Sequence, residues 1–144
     1  MGMLSKLTRM TSTKQPTDDI LLVHSMLLMA GADGVVEDEE IATVHAFVMC
    51  LSEFKSQNFG QLVEEARKMM RRYPSVKESV AALGYLSTPA LKHKAFVLAA
   101  DIAMSSGDVD ETEDQLLETM QRLLEIDDRS VQTIIWALHQ KYAR

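Results

Sequence analysis

One short pattern occurs twice in this chain, and each time it turns an apolar helix into an acidic one. The first copy is Ala32-Asp33-Gly34-Val35-Val36-Glu37-Asp38-Glu39-Glu40. The second lies 73 residues later, at Ser105-Ser106-Gly107-Asp108-Val109-Asp110-Glu111-Thr112-Glu113, with Gly34 on Gly107, Val36 on Val109, Glu37 on Asp110 and Glu40 on Glu113. An apolar helical run precedes each copy and an amphipathic one follows it. A single supersecondary unit used twice accounts for this. It predicts an approximate two-fold relation between the units, with residues 18–32 and 89–105 in contact as central helices.

Helix signals fill the rest of the chain. Thr17 predicts an N-cap with Asp18 and Asp19 in the first turn, opening a run from Ile20 to Ala30 that is apolar nearly all round. Asp33-Gly34 is expected to end it, the glycine supplying a positive φ. Glu37 or Asp38 opens a second helix whose stripe is Ile41, Val44, Phe47, Val48 and Leu51. Asn58 with Gln61 and Ser75 with Glu78 have capping-box spacing, and Tyr73-Pro74 separates the helices they start. Thr88-Pro89 starts the second central helix, Asp110 with Glu113 the sixth helix, and Asp127 or Asp128 the last. No stretch alternates like a strand. The expected fold is all-α, a compact bundle of about seven helices, with 17–144 as the domain and 1–16 as a basic tail, flexible or docking.

At 144 residues and 47% hydrophobic, the chain is long enough to bury a core without staples. Its single cysteine excludes an internal disulfide and fits a reducing, cytoplasmic setting. Cys50, in Val48-Met49-Cys50-Leu51, is expected to be buried and inert. No run reaches the roughly 18 apolar residues of a membrane span.

Charge is more informative in its distribution than in its total of −6. Residues 15–54 hold eight acids and no Lys or Arg, residues 55–94 a net +5, and residues 95–121 seven acids and no base. Packing the two acidic blocks together would give a negative end and a positive middle, each suited to an oppositely charged protein partner. Nucleic acid is disfavoured as a partner.

Eleven of the 21 acids fall within residues 33–40 and 101–114. Glu37, Asp38, Glu39, Asp110 and Glu111 have a local explanation as caps and first-turn residues. Asp33 and Asp108 sit at helix C-termini, where the macrodipole disfavours negative charge, although Asp-Gly is also ordinary turn chemistry. Asp101 interrupts an apolar helix and shares a face with Ser105 and Asp108. Two carboxylates about 5 Å apart repel by roughly 3 kcal/mol at an effective dielectric near 20, so such a cluster needs protons, a basic partner or a cation. Oxygen ligands select Ca²⁺, Mg²⁺ or Mn²⁺. The candidate ligands are Asp33, Glu37, Glu40, Asp101, Asp108, Asp110 and Glu113. Each loop is half of an EF-hand loop: with Gly34 or Gly107 at the sixth position, the first and third fall on Met29 and Gly31 or on Ile102 and Met104, which carry no side-chain oxygen.

Catalysis finds little support. His24 reads as a hydrogen-bonded core residue, and His45, His93 and His139 form no ligand pair. There is no H-E-x-x-H, no nucleophile elbow, no phosphate loop and no paired cysteine. No organic cofactor is predicted.

Ala32-Asp33-Gly34…Glu40 and Gly107-Asp108…Glu113, with the apolar helices before them and Asp101 in the second, resemble the TerB family of tellurite-resistance and phage or stress-response proteins. The resemblance spans about residues 17–142. It implies a compact helical bundle, an acidic surface that binds a divalent cation, and work within a membrane-associated tellurite or stress complex at the inner membrane. Ser106 departs from the pattern, standing where the family has an aspartate. The functional expectation is a non-catalytic accessory protein binding a cation and partner proteins. A metal-free interaction module acting through charge separation is the alternative, and a hydrolase with a carboxylate-bound metal ranks last.

Overall fold

The computed structural model describes residues 16–32 and 36–144. Among them are seven α-helices and no strand: α1 Asp18–Ala30, α2 Asp38–Val48, α3 Phe59–Arg72, α4 Val76–Ala81, α5 Pro89–Ser105, α6 Glu111–Leu123 and α7 Asp128–Lys141. Two 3₁₀ turns, Ser52–Phe54 and Ala82–Tyr85, complete the path. The expected all-α bundle is what forms. Residues 1–15 of the basic tail lie outside the described residues, as does Asp33-Gly34.

Most helices start where a side-chain oxygen satisfies an open N–H. Thr17 Oγ1 accepts from Ile20 at 3.3 Å, Asn58 Oδ1 from Gln61 at 3.1 Å and Ser75 Oγ from Glu78 at 3.2 Å. Thr88 Oγ1 accepts from Leu91 at 3.1 Å and Asp127 Oδ1 from Ser130 at 2.7 Å. Each cap contributes about 1 kcal/mol and fixes where its helix begins. The end of α1 differs from expectation. The helix stops at Ala30, and Gly31 rather than Gly34 is its C-cap, its N–H reaching back to the Leu27 carbonyl while the Ala32 N–H reaches that of Met29.

α1 and α5 pack against each other more extensively than any other described pair. Leu21, Val23, Met26 and Leu27 of α1, and Ala95, Phe96, Ala99, Ala100 and Ala103 of α5, are at most 1% exposed. The alanines on α5 permit close approach, and the leucines and methionines of α1 fill the space between. α2, α3 and α4 pack against α1, whereas α6 and α7 pack against α5.

The central helices run in the same direction. Asp18, at the start of α1, accepts hydrogen bonds from the N–H and hydroxyl of Ser87 just before α5, at 3.0 and 2.7 Å. At the opposite end, Gly31 and Ala32 line one cleft with Thr112 and Leu116 of α6. Both central helices therefore deliver the chain to the same end of the bundle, where the acidic helix starts follow.

Cys50 corrects one expectation. It is exposed, with Sγ donating to the Ala46 carbonyl at 3.5 Å. α2 ends at Val48, and the turn after it returns Leu51 to the core while leaving residue 50 outside.

Candidate functional site at the acidic end

The second acidic loop is set up by the last turn of α5. Ser105 Oγ donates to the Ile102 carbonyl at 2.7 Å and Ser106 Oγ to the Ala103 carbonyl at 3.2 Å. Gly107 then adopts φ +102°, and its N–H reaches the Met104 carbonyl at 3.1 Å. These bonds satisfy the carbonyls that a helix end leaves open, and the left-handed step turns the chain out of the core.

Asp110 and Glu113 form a reciprocal capping box. Glu113 N–H donates to Asp110 Oδ1 at 2.8 Å, and Asp110 N–H donates to Glu113 Oε1 at 3.1 Å. Partial burial holds the Glu113 carboxyl above its usual range, against the lowering effect of the Asp110 N–H. At the start of α2 the Glu37 N–H donates to the Glu40 carboxylate, the corresponding bond. Three predicted ligands, Glu40, Asp110 and Glu113, thus accept from backbone N–H groups at helix starts, each with oxygen capacity left over, while Glu37 takes part through its own N–H.

Asp108, Asp110, Glu111 and Asp114 are exposed, as are Glu37, Asp38 and Glu39. Among the described residues none of them makes an ion pair with Lys or Arg. Nor do any three His, Cys, Asp or Glu among the described residues converge so as to hold a metal ion. Asp33 lies outside the described residues.

Asp101 behaves differently from the rest. It is nearly buried, and its carboxylate accepts from Lys141 Nζ at 2.8 Å and from the Tyr142 hydroxyl. Lys141 closes α7, a favourable place for a cation beside the helix dipole. Its ammonium also lies 5.6 Å from the ring centre of Phe47 on α2. The hydrogen bond to Asp101 raises the Lys141 pKa, while burial, then the same carboxylate, raise that of Tyr142. The basic partner that a carboxylate in an apolar helix requires comes from this chain. Neither a helix N-terminus nor His24 supplies it: His24 Nε2 bonds the Ser79 carbonyl at 2.9 Å.

Beside the second loop runs a groove of about 950 Å³ between residues 107–109 and α7, containing Asp108, Val109, Asp114, Ile135, Trp136 and His139. Trp136, the only tryptophan of the chain, is 65% exposed. Sequence reasoning passed over this tryptophan and over Lys141. The available signals were the buried carboxylate's need for a counter-charge and the place of Lys141 next to the inward-facing Tyr142.

Of the other histidines, His139 lines the groove with Asp108 and Asp114, His45 stacks on Phe59 with centroids 4.3 Å apart, and His93 Nδ1 contacts the Pro89 carbonyl at 2.8 Å. No described helix is long and apolar enough to cross a membrane.

Comparison with curated proteins and with solved structures gave no match. Comparison with protein families matches residues 19–135 to the family described as tellurite resistance protein TerB, a span that includes both acidic helix starts, Asp101, α1 from its second residue and the whole of α2 to α6. The chain belongs to the TerB family.

Proposed function

We propose that the protein is a non-catalytic accessory component of tellurite resistance and stress response, working through its acidic end on a divalent cation and on partner proteins. One observation carries this reading: the carboxylates of Asp108, Asp110, Glu111 and Asp114 are exposed without a basic counterpart among the described residues, whereas buried Asp101 has one. Uncompensated carboxylates gathered by the fold have two natural uses, attracting a cation or attracting a basic protein surface. Oxygen-only donors suit Ca²⁺, Mg²⁺ or Mn²⁺. A cytoplasmic protein at the periphery of a membrane complex fits this role.

The metal-free alternative has its own support. Glu40, Asp110 and Glu113 are engaged by backbone N–H groups at helix starts, and Asp101 by Lys141. Under that reading the acidic end attracts partners by charge alone.

Elemental analysis with titration calorimetry against Ca²⁺, Mg²⁺ and Mn²⁺ separates the two. The cation reading expects saturable binding that Asp108→Asn and Glu113→Gln weaken. Titrations without heat for all three ions, on protein free of bound metal, would leave the metal-free module.

A further inference from the structure

The groove beside the second acidic loop combines three properties that select one kind of occupant. Its α7 wall offers Trp136 with most of the ring in solvent and Ile135 half-buried beside it. The facing wall offers Val109, 38% exposed although apolar, between Asp108 and Asp110. Met104 of α5 and Leu117 of α6 also line it, so the groove is continuous with the core.

Apolar side chains in a groove favour an apolar anchor. The exposed face of an indole attracts cations, with Trp the strongest of the aromatic rings. Carboxylates at Asp108, Asp110, Glu111 and Asp114 attract cations as well, and among the described residues no Lys or Arg pairs with them. Within the lining Asp108 and Asp114 stand against Arg144 and the imidazole of His139, and the exposed Asp110 and Glu111 next to the loop supply the negative excess. An acidic or neutral partner would leave both ring face and carboxylates unused; a basic amphipathic segment uses all three features.

We propose that this groove docks a basic amphipathic segment of a partner protein, with an apolar residue seated between Val109 and Ile135 and a Lys or Arg over Trp136. The proposal rests on the acidic end being a partner surface and adds the place and chemistry of docking. Tyr142 lines the same groove and bonds Asp101, so an occupant also bears on the contact that holds α7 to α5.

Trp136 is its own reporter. The full chain is titrated with a short helical leucine–lysine peptide and with its twin carrying glutamate for lysine, following Trp136 emission and the anisotropy of labelled peptide. The basic peptide is expected to shift the emission to the blue and the acidic twin to have no effect. Trp136→Ala, read by anisotropy, and Asp108→Lys with Asp114→Lys are each expected to weaken binding at least about tenfold, with Glu64→Lys as a remote control that changes little. Binding lost on charge reversal but unchanged in Trp136→Ala would overturn the groove and leave the acidic surface standing. Absence of binding by the basic peptide would overturn both. A concentration-dependent dimer that buries Trp136 would assign the groove to a second copy. An emission shift on replacing Lys6, Arg9 and Lys14 by Ser, with no response to peptide, would assign it to the chain's own first residues. Either result overturns the proposal.

Discussion

The carboxylate of Asp101 and the ammonium of Lys141, forty residues apart in sequence, meet at 2.8 Å and fasten the end of α7 to the middle of the bundle. Lys141 remains half exposed at 52% of its side chain, whereas Asp101 is 13% exposed. The two partners are therefore unequal: removing the lysine strands a poorly solvated charge, but removing the carboxylate frees an ammonium that water accommodates.

Asp101→Asn should cost only about 1 kcal/mol, because the amide oxygen still accepts from Tyr142 and the lost pair is screened. Lys141→Met should cost more, about 1–3 kcal/mol, by leaving the carboxylate without counter-charge. Melts in millimolar Ca²⁺ and in chelator check the assignment. A loss independent of cation in Asp101→Asn removes Asp101 from the ligand set. Restoration of Lys141→Met by cation would show that ammonium and metal compete for the same oxygens.

Glu40→Gln and Glu113→Gln should each stay within about 0.5 kcal/mol of the parent, since Gln serves in a capping box nearly as well as Glu. For Glu113 the sign is fixed by burial. Its folded carboxyl binds a proton more readily than the unfolded one, so it adds stability as pH falls through that raised range, and Gln removes this dependence. Urea midpoints against pH measure it. Cation titration of the same variants tells cap from ligand.

Burial lowers the His24 pKa, the Ser79 carbonyl bond opposing this only in part, and Nδ1 has no hydrogen-bond partner among the described residues. The folded state thus resists protonation that the unfolded chain accepts near its ordinary value of about 6.5. Stability should be complete above that pH and fall as pH drops from there toward the depressed folded value. His24→Gln, which keeps a donor for Ser79, should flatten the slope just below pH 6.5. An equal slope in both proteins would place its origin elsewhere.

Gly107→Ala should destabilise by about 1–3 kcal/mol through backbone conformation alone, because φ is +102° while open space surrounds the added methyl. Gly84→Ala meets nothing within 4 Å either and has no positive φ, so it should be neutral or stabilising by up to about 1 kcal/mol. Thermal denaturation of the pair separates strain from space.

What was legible in the sequence was local. Thr17, Asn58, Ser75, Thr88 and Asp127 each act within three residues, so their roles as caps follow from spacing. The central place of α1 and α5 followed from helices apolar on every side. Distant pairings were not legible. That the carboxylates around Asp101 needed protons, a basic partner or a cation was clear, but which of these serves Asp101 depends on the path of α7. Cys50 was read from its apolar neighbours, but it lies two residues past the end of α2 and off the stripe that carries Val48 and Leu51 to the core. The two acidic starts were legible as residues, but the groove beside the second is a product of packing.

The parallel contact between α1 and α5 has a consequence that the repeated pattern conceals. A duplicated unit suggests two halves able to fold separately. Yet the chief partner of each apolar helix lies in the other half, so either half alone would expose an apolar surface that only its counterpart covers. A chain cut in the bend at Tyr73-Pro74 would give two fragments with no independent fold that recover the bundle on mixing, making this one cooperative unit built from mutually dependent parts.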